Sequence, residues 1–176
     1  MPNMKPEALI FLDESGCNCG MAPTYGRSEE GARVLDSKPK SPGSNITLIG
    51  ALSLQGVEAI MTVDGSTDGD VFSSFVQQLL VPTLKPGKIV IMDNVGFHKG
   101  KNIIEAIEST GAKVKFLPPY SPDLNPIESC WSKIKNSLRQ AKARVRNTLD
   151  IAVAQAVNAV TQEDAAGWFS GCGYTT

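Results

Sequence analysis

Three carboxylates stand where acids can do chemistry. Asp13 follows the apolar run Glu7-Ala-Leu-Ile-Phe-Leu12, Asp93 follows Lys88-Ile-Val-Ile-Met92, and Glu128 comes directly after Asn125-Pro126-Ile127 at the head of an apolar-striped segment. If the two apolar runs are neighbouring strands, about 4.8 Å apart, Asp13 and Asp93 leave the same sheet edge at a separation that one or two divalent cations can bridge. A hard cation such as Mg²⁺ takes oxygen ligands and combines a few carboxylates with waters and substrate phosphate. Two such ions roughly 3.5–4 Å apart activate the attacking oxygen and stabilise the leaving one in an in-line phosphoryl displacement. Each acid also has a plainer reading. Asp is favoured in turns at strand ends, and Asn125-x-x-Glu128 is a capping-box pattern, worth about 1 kcal/mol to a helix whatever else it does.

The elements that must hold these acids can be read from hydropathy. The first run is a buried strand that should end in the polar turn Asp13-Glu-Ser-Gly16. Residues 16–44 are rich in Gly, Pro, Ser and charge and predict a long excursion with at most short strands. Residues 45–54 and 57–63 are two strands around Gln55-Gly56, a two-residue hairpin connection. Val71, Phe72, Phe75, Val76, Leu79 and Leu80 have helical spacing and run towards Pro82, which predicts a helix covering the hairpin. Residues 88–92 are a fourth strand, Ile103, Ile104 and Ile107 mark a helix that stops before Gly111, and residues 114–117 are a fifth strand. Pro118-Pro-Tyr-Ser-Pro-Asp-Leu-Asn-Pro126 is a stiff connection. It leads into a helix with Asn125 as N-cap and Ile127, Trp131, Ile134 and Leu138 on one face. A last helix is expected over about 148–160. Glu128, Ser132, Lys135, Arg139 and Lys142 form a second stripe, about 100° round from the apolar one, in which an acid is continued by cations.

At 176 residues, 41% hydrophobic and 20% charged, the chain has the composition of one globular domain, not a disordered tail, a collagen-like chain or a disulfide-stapled miniprotein. The net charge of −1 hides a polarity. Residues 1–80 carry five Lys/Arg against ten Asp/Glu, residues 81–146 twelve against five, and residues 147–176 none against three. The basic middle suits a polyanion such as nucleic acid, although any one of these cations also fits a solvated helix face. No stretch has the roughly 18 apolar residues of a membrane span, and Met1–Pro6 lacks the pattern of a secretory signal. The expected compartment is therefore cytosolic and reducing, with Cys17, Cys19, Cys130 and Cys172 as free thiols and no zinc site at Cys17-x-Cys19.

The order of three strands, helix, strand, helix, strand, helix describes an α/β ribonuclease H-like three-layer domain, a mixed five-stranded sheet flanked by helices. More specifically, Phe11-Leu-Asp13-Glu-Ser-Gly, Ile91-Met-Asp93-Asn94-x-x-x-His98 and Leu117-Pro-Pro-Tyr-Ser-Pro-Asp-Leu-Asn-Pro-Ile-Glu128, followed by Trp131, resemble the catalytic domain of DDE transposases of the bacterial insertion-sequence group related to mariner elements. The 34 residues between Asp93 and Glu128 match the spacing of that group. The resemblance implies that Asp13, Asp93 and Glu128 are catalytic and bind metal, Mg²⁺ or Mn²⁺, as two ions. It implies hydrolysis at transposon ends followed by attack of the freed 3′-OH on target DNA. Asn94 and His98 take supporting roles. Arg27, Lys99, Lys101, Lys133, Lys135 and Arg139 are candidates for DNA backbone contacts, which set affinity and salt dependence but not sequence preference.

The implied partners are double-stranded DNA, at transposon ends and target, and a second copy of the chain in a homodimer, in a bacterial nucleoid-associated setting with no membrane. Residues 1–176 read as a single catalytic domain. Relatives carry an N-terminal helix-turn-helix that reads the transposon ends, whereas this chain enters its first strand within ten residues of Met1. That module is therefore expected on a separate or frameshift-joined polypeptide, unless the chain is a non-catalytic DNA-binding or assembly remnant. A different two-metal nuclease on the same fold is a further alternative.

Overall fold

A computed structural model of the chain describes residues 4–175. Five strands form one mixed sheet in the order β3-β2-β1-β4-β5. β1 (Leu9–Asn18) is central, with β2 (Asn45–Ser53) and β3 (Gly56–Asp64) antiparallel on one side, and β4 (Ile89–Met92) and β5 (Lys113–Phe116) parallel on the other.

Strand alternation sorts the core into two layers. Leu9, Phe11 and Ile91 face one side, which is covered by α3 (Ile127–Ala141), α4 (Arg146–Asn158) and α5 (Gln162–Gly171). Ile10, Leu12, Val90 and Met92 face the other, covered by α1 (Gly69–Phe75), the π-helical turn that continues it over Val76–Leu80, and α2 (Lys101–Glu108). Each fully buried Leu, Ile or Phe contributes roughly 1.5–3 kcal/mol relative to exposure, so both faces of β1 and β4 must be covered. This is the three-layer ribonuclease H-like architecture that the element order implies.

Four expectations are corrected. β1 does not end at Asp13 but continues five residues further, because β2 pairs with it as far as Asn18 while the β4 ladder stops at Leu12–Met92. Asp13 is thus mid-strand, just past the point where the sheet opens on one side. The hairpin turn is Leu54-Gln55, and Gly56, at φ +110°, is the first residue of β3. Asn125 does not cap α3 through its side chain. Pro126 occupies the N-cap with helical torsions, only the carbonyl of Asn125 bonds the Glu128 amide, and the Asn125 side chain is buried. Finally, α4 is not the last helix. α5 follows, started by a capping box in which Thr161 and Asp164 bond each other's main-chain amides, and Phe169 packs edge-on against Phe11 with centroids 5.3 Å apart.

The long excursion, residues 19–44, has no strand or helix. It is tied back by basic residues from the end of α3 onward: Lys142 pairs with Asp36 at 2.7 Å, and Arg144 donates to the carbonyls of Cys19 and Met21.

Candidate active site

Opening of the sheet between β1 and β4 creates the site. Beyond the Leu12–Met92 pair the two strands part, so Asp13 and Asp93 lie at the mouth of the gap. α3 enters from one face of the sheet with Glu128 in its first turn. All three acids line one cleft of about 440 Å³, together with Asn94, Asn125 and the stiff wall Pro118-Pro119-Tyr120-Ser121-Pro122.

The three acids sit in different environments. Asp13 is buried, at 8% exposure. Burial pushes its carboxyl up to about 7, the Glu14 amide pulls it down, and the nearby charges of Glu128, Glu14 and Asp93 push it up again. Its Oδ2 accepts the indole N–H of Trp131 at 3.3 Å. Asp93 is half-exposed, and its Oδ1 accepts from the Val95 amide at 3.1 Å and meets His98 Nδ1 at 2.6 Å. Glu128 is exposed and makes no capping bond, which removes the plainer explanation of why an acid stands there.

His98 is not a surface-loop residue but is fully buried in the 3₁₀ turn Gly96–Lys99. Its ring lies 4.2 Å from that of Phe72 and edge-on to Phe97, and its Nε2 meets Glu14 at 3.1 Å. Burial works against a charged ring, but the hydrogen bonds and negative charges of Glu14 and Asp93 outweigh it and raise the pKa of His98. His98 therefore ties the β1 acid next to Asp13 to the acid that ends β4. Glu14 is a site residue that the sequence reading missed. Its signal was adjacency: in a continuing strand the residue after Asp13 points to the opposite face, where the Phe72 layer and His98 lie.

Among the described residues no Lys or Arg lines this cleft. Among the described residues no three His, Cys, Asp or Glu side chains are already gathered into a closed metal-binding group. The donor set nevertheless fits a hard divalent cation: two aspartates and a glutamate offering oxygen only, one of them held in a dry position without a cationic partner. All four cysteines are free thiols, and burial pushes Cys17 up to about 11 and Cys130 up to about 12, which keeps these two protonated and poor nucleophiles.

The cationic candidates divide. Lys135 and Arg139 share a shallow groove with Glu128, Trp131 and Ser132, so the basic stripe of α3 does continue from the acid. Lys133 faces elsewhere, and its ammonium is taken by Asp164 of α5. Lys142, in the same stripe by spacing, is occupied by Asp36. Lys99 and Lys101 are exposed near the turn that carries His98, with Lys101 3.5 Å from Glu105, and Arg27 is exposed on the excursion.

Residues 8–150 match the family model for the DDE superfamily endonuclease. The chain belongs to this family. It is 25% identical over 112 residues to the transposable element Tcb2 transposase of Caenorhabditis briggsae, which covers 61% of this chain and 41% of that protein. Among solved structures, the Mos1 transposase paired-end complex with left transposon end superposes with a TM-score of 0.74 at 16% identity, over 95% of this chain and 52% of the other. The mariner Mos1 paired end complex with Mg gives 0.66 at 16%, over 96% and 54%. These likenesses establish the fold, and the chain spans about half or less of the length of each of these relatives.

Proposed function

We propose that this DDE endonuclease domain is the catalytic domain of a transposase. It cleaves DNA strands at transposon ends with Mg²⁺ or Mn²⁺, as two ions, and transfers the freed ends to target DNA. The observation that carries the reading is the convergence of Asp13, Asp93 and Glu128, from two strands and a helix far apart in sequence, on one cleft that no described Lys or Arg lines. The relatives support it: a Tcb2 transposase in sequence, and Mos1 complexes with a transposon end and with Mg in fold.

Asp13, Asp93 and Glu128 would hold the metal, which when bound activates the attacking oxygen and stabilises the leaving one. His98 occupies one oxygen of Asp93 and leaves the other to the cleft. Glu14 holds the far side of the imidazole. Asn94 and Asn125 offer amide groups at the rim. Lys135 and Arg139 would carry phosphates of the strand that runs away from Glu128 along α3, with Lys99, Lys101 and Arg27 as further backbone contacts. A homodimer on paired ends, and an end-reading domain supplied by another polypeptide or by another part of a longer chain, complete the proposal. No described helix is long and apolar enough to cross a membrane.

The test is nicking of supercoiled plasmid and of end-bearing oligonucleotides by wild type and by Glu128→Gln. Metal-dependent nicking by the wild type alone is expected. DNA binding without nicking in either protein would instead identify a non-catalytic DNA-binding or assembly remnant.

A further inference from the structure

Trp131 reads as an apolar core residue, and its burial at 3% exposure fits that. Two observations go beyond packing. Its only polar atom is spent on Oδ2 of Asp13, across 118 positions of sequence. The far edge of its ring also lies in a notch that one glycine provides. Gly50 is the β2 residue directly opposite Asp13 in the β1–β2 register. A Cβ built on Gly50 would come within 2.6 Å of Trp131 Cη2, closer than such atoms approach, and within a tight 3.3 Å of Cζ2. The missing side chain opposite Asp13 is therefore the space in which the indole reaches over that acid.

We propose that Trp131 and Gly50 form a positioning device for Asp13. Gly50 leaves the notch, Trp131 fills it, and the indole N–H fixes one carboxylate oxygen so that the other is presented to the cation. His98 does the same to Asp93 from the opposite layer of the sheet, so each aspartate has one oxygen held by a ring nitrogen. The proposal rests on the reading of this cleft as a metal site. It adds that an α3 residue just past Glu128 governs how Asp13 meets the metal. It also gives a reason for glycine at position 50, where the backbone is ordinary extended strand and no positive φ calls for one.

The test uses the chain in a Trp168→Phe background, which leaves Trp131 as the single indole. Mn²⁺ is titrated by calorimetry into this protein and into its Trp131→Phe and Gly50→Ala derivatives, and by indole fluorescence into the parent and Gly50→Ala, with circular dichroism and metal-free DNA binding recorded for each. The expected result is a fluorescence change on Mn²⁺ binding in the parent. Mn²⁺ affinity should be about tenfold weaker in both derivatives, the scale of losing one hydrogen bond to a charged group, with metal-free DNA binding unchanged. A merely structural role would lower thermal stability but leave the Mn²⁺ affinity of the folded protein intact, and that result overturns the proposal. If one derivative fails to fold, the other decides. If both do, the indole N–H resonance of Trp131 decides, since it must shift in Asp13→Ala and an unmoved resonance refutes the contact. Absence of Mn²⁺ binding in the parent overturns the metal-site reading and the proposal with it. Parent-like binding in the derivatives overturns the positioning role alone.

Discussion

Replacing Asp13 by Asn should stabilise the metal-free protein at pH 8 while removing its activity. Burial raises the Asp13 carboxyl from 3.8 to about 7. A folded-state pKa above the unfolded value means that the proton-bound form supports folding fully below about pH 4, and that this support is lost as pH rises through about 7. At roughly 1.4 kcal/mol per unit, keeping Asp13 ionised at pH 8 costs the fold about 4 kcal/mol. Asn removes the charge and can still accept the Trp131 N–H, but it brings an amide NH₂ into a dry place, which costs about 1–3 kcal/mol. The net gain is about 2 kcal/mol at pH 8, or roughly 4–8 °C in Tm for a domain of this size. At pH 4 the wild-type acid is neutral in the folded state and only about half ionised in the unfolded one, so little of that cost remains and the amide penalty reverses the sign. Thermal unfolding by circular dichroism of both proteins from pH 4 to pH 8 follows the crossing directly. Mg²⁺ added at pH 8 should raise the Tm of the wild type and not of the variant. Equal or lower stability of Asp13→Asn at pH 8 would refute the account of Asp13 as a desolvated acid awaiting a cation.

Other outcomes follow from the same geometry. Asp93→Ala and Glu128→Ala should each lower Mg²⁺-dependent nicking by roughly a thousandfold, the scale of several kcal/mol of metal-assisted stabilisation, with far-ultraviolet circular dichroism unchanged; wild-type turnover in either removes that residue from the site. Lys135→Ala and Arg139→Ala should each weaken DNA binding and reduce the dependence of log affinity on log salt by about 1. Lys133→Ala should leave that slope unchanged, because its ammonium is held by Asp164. His98→Gln breaks a buried bridge between two acids and should cost about 3 kcal/mol in urea unfolding at pH 6. Because His98 has a raised pKa, its stabilising contribution is lost as pH rises through that value, so the penalty should shrink above it; a pH-independent penalty would mean that the ring bridges the acids as a neutral group.

Much of this site was legible because apolar runs announce buried strands and the acids follow them. Leu9–Leu12 and Ile89–Met92 are continuous apolar segments, as strands covered on both faces must be, and they placed Asp13 and Asp93 side by side. What the sequence hid was long-range or competitive. The polar stretch Asp13-Glu-Ser-Gly reads as a turn, yet β2 supplies a ladder that carries it on as strand to Asn18, and this in turn sends Glu14 to the His98 side. Asn125 has the composition of a cap, but Pro126 already has helical torsions and takes the cap position. α5 carried a readable signal, Thr161-x-x-Asp164, which its weak apolar periodicity masked. Lys133 and Lys135 are alike on charge alone, and only packing of α5 against α3 assigns one to an ion pair and leaves the other beside Glu128. Trp131 satisfied the apolar pattern so well that its N–H went unremarked.

Calorimetric titration of Mg²⁺ and Mn²⁺ into the wild type and Asp93→Ala at pH 8, with plasmid nicking followed in the same samples, addresses the central claim most directly. Divalent-ion binding and nicking in the wild type, both lost in Asp93→Ala, are the predicted result. Nicking that survives in Asp93→Ala, or a wild type that binds neither ion, would contradict a metal-dependent active site built on Asp13, Asp93 and Glu128.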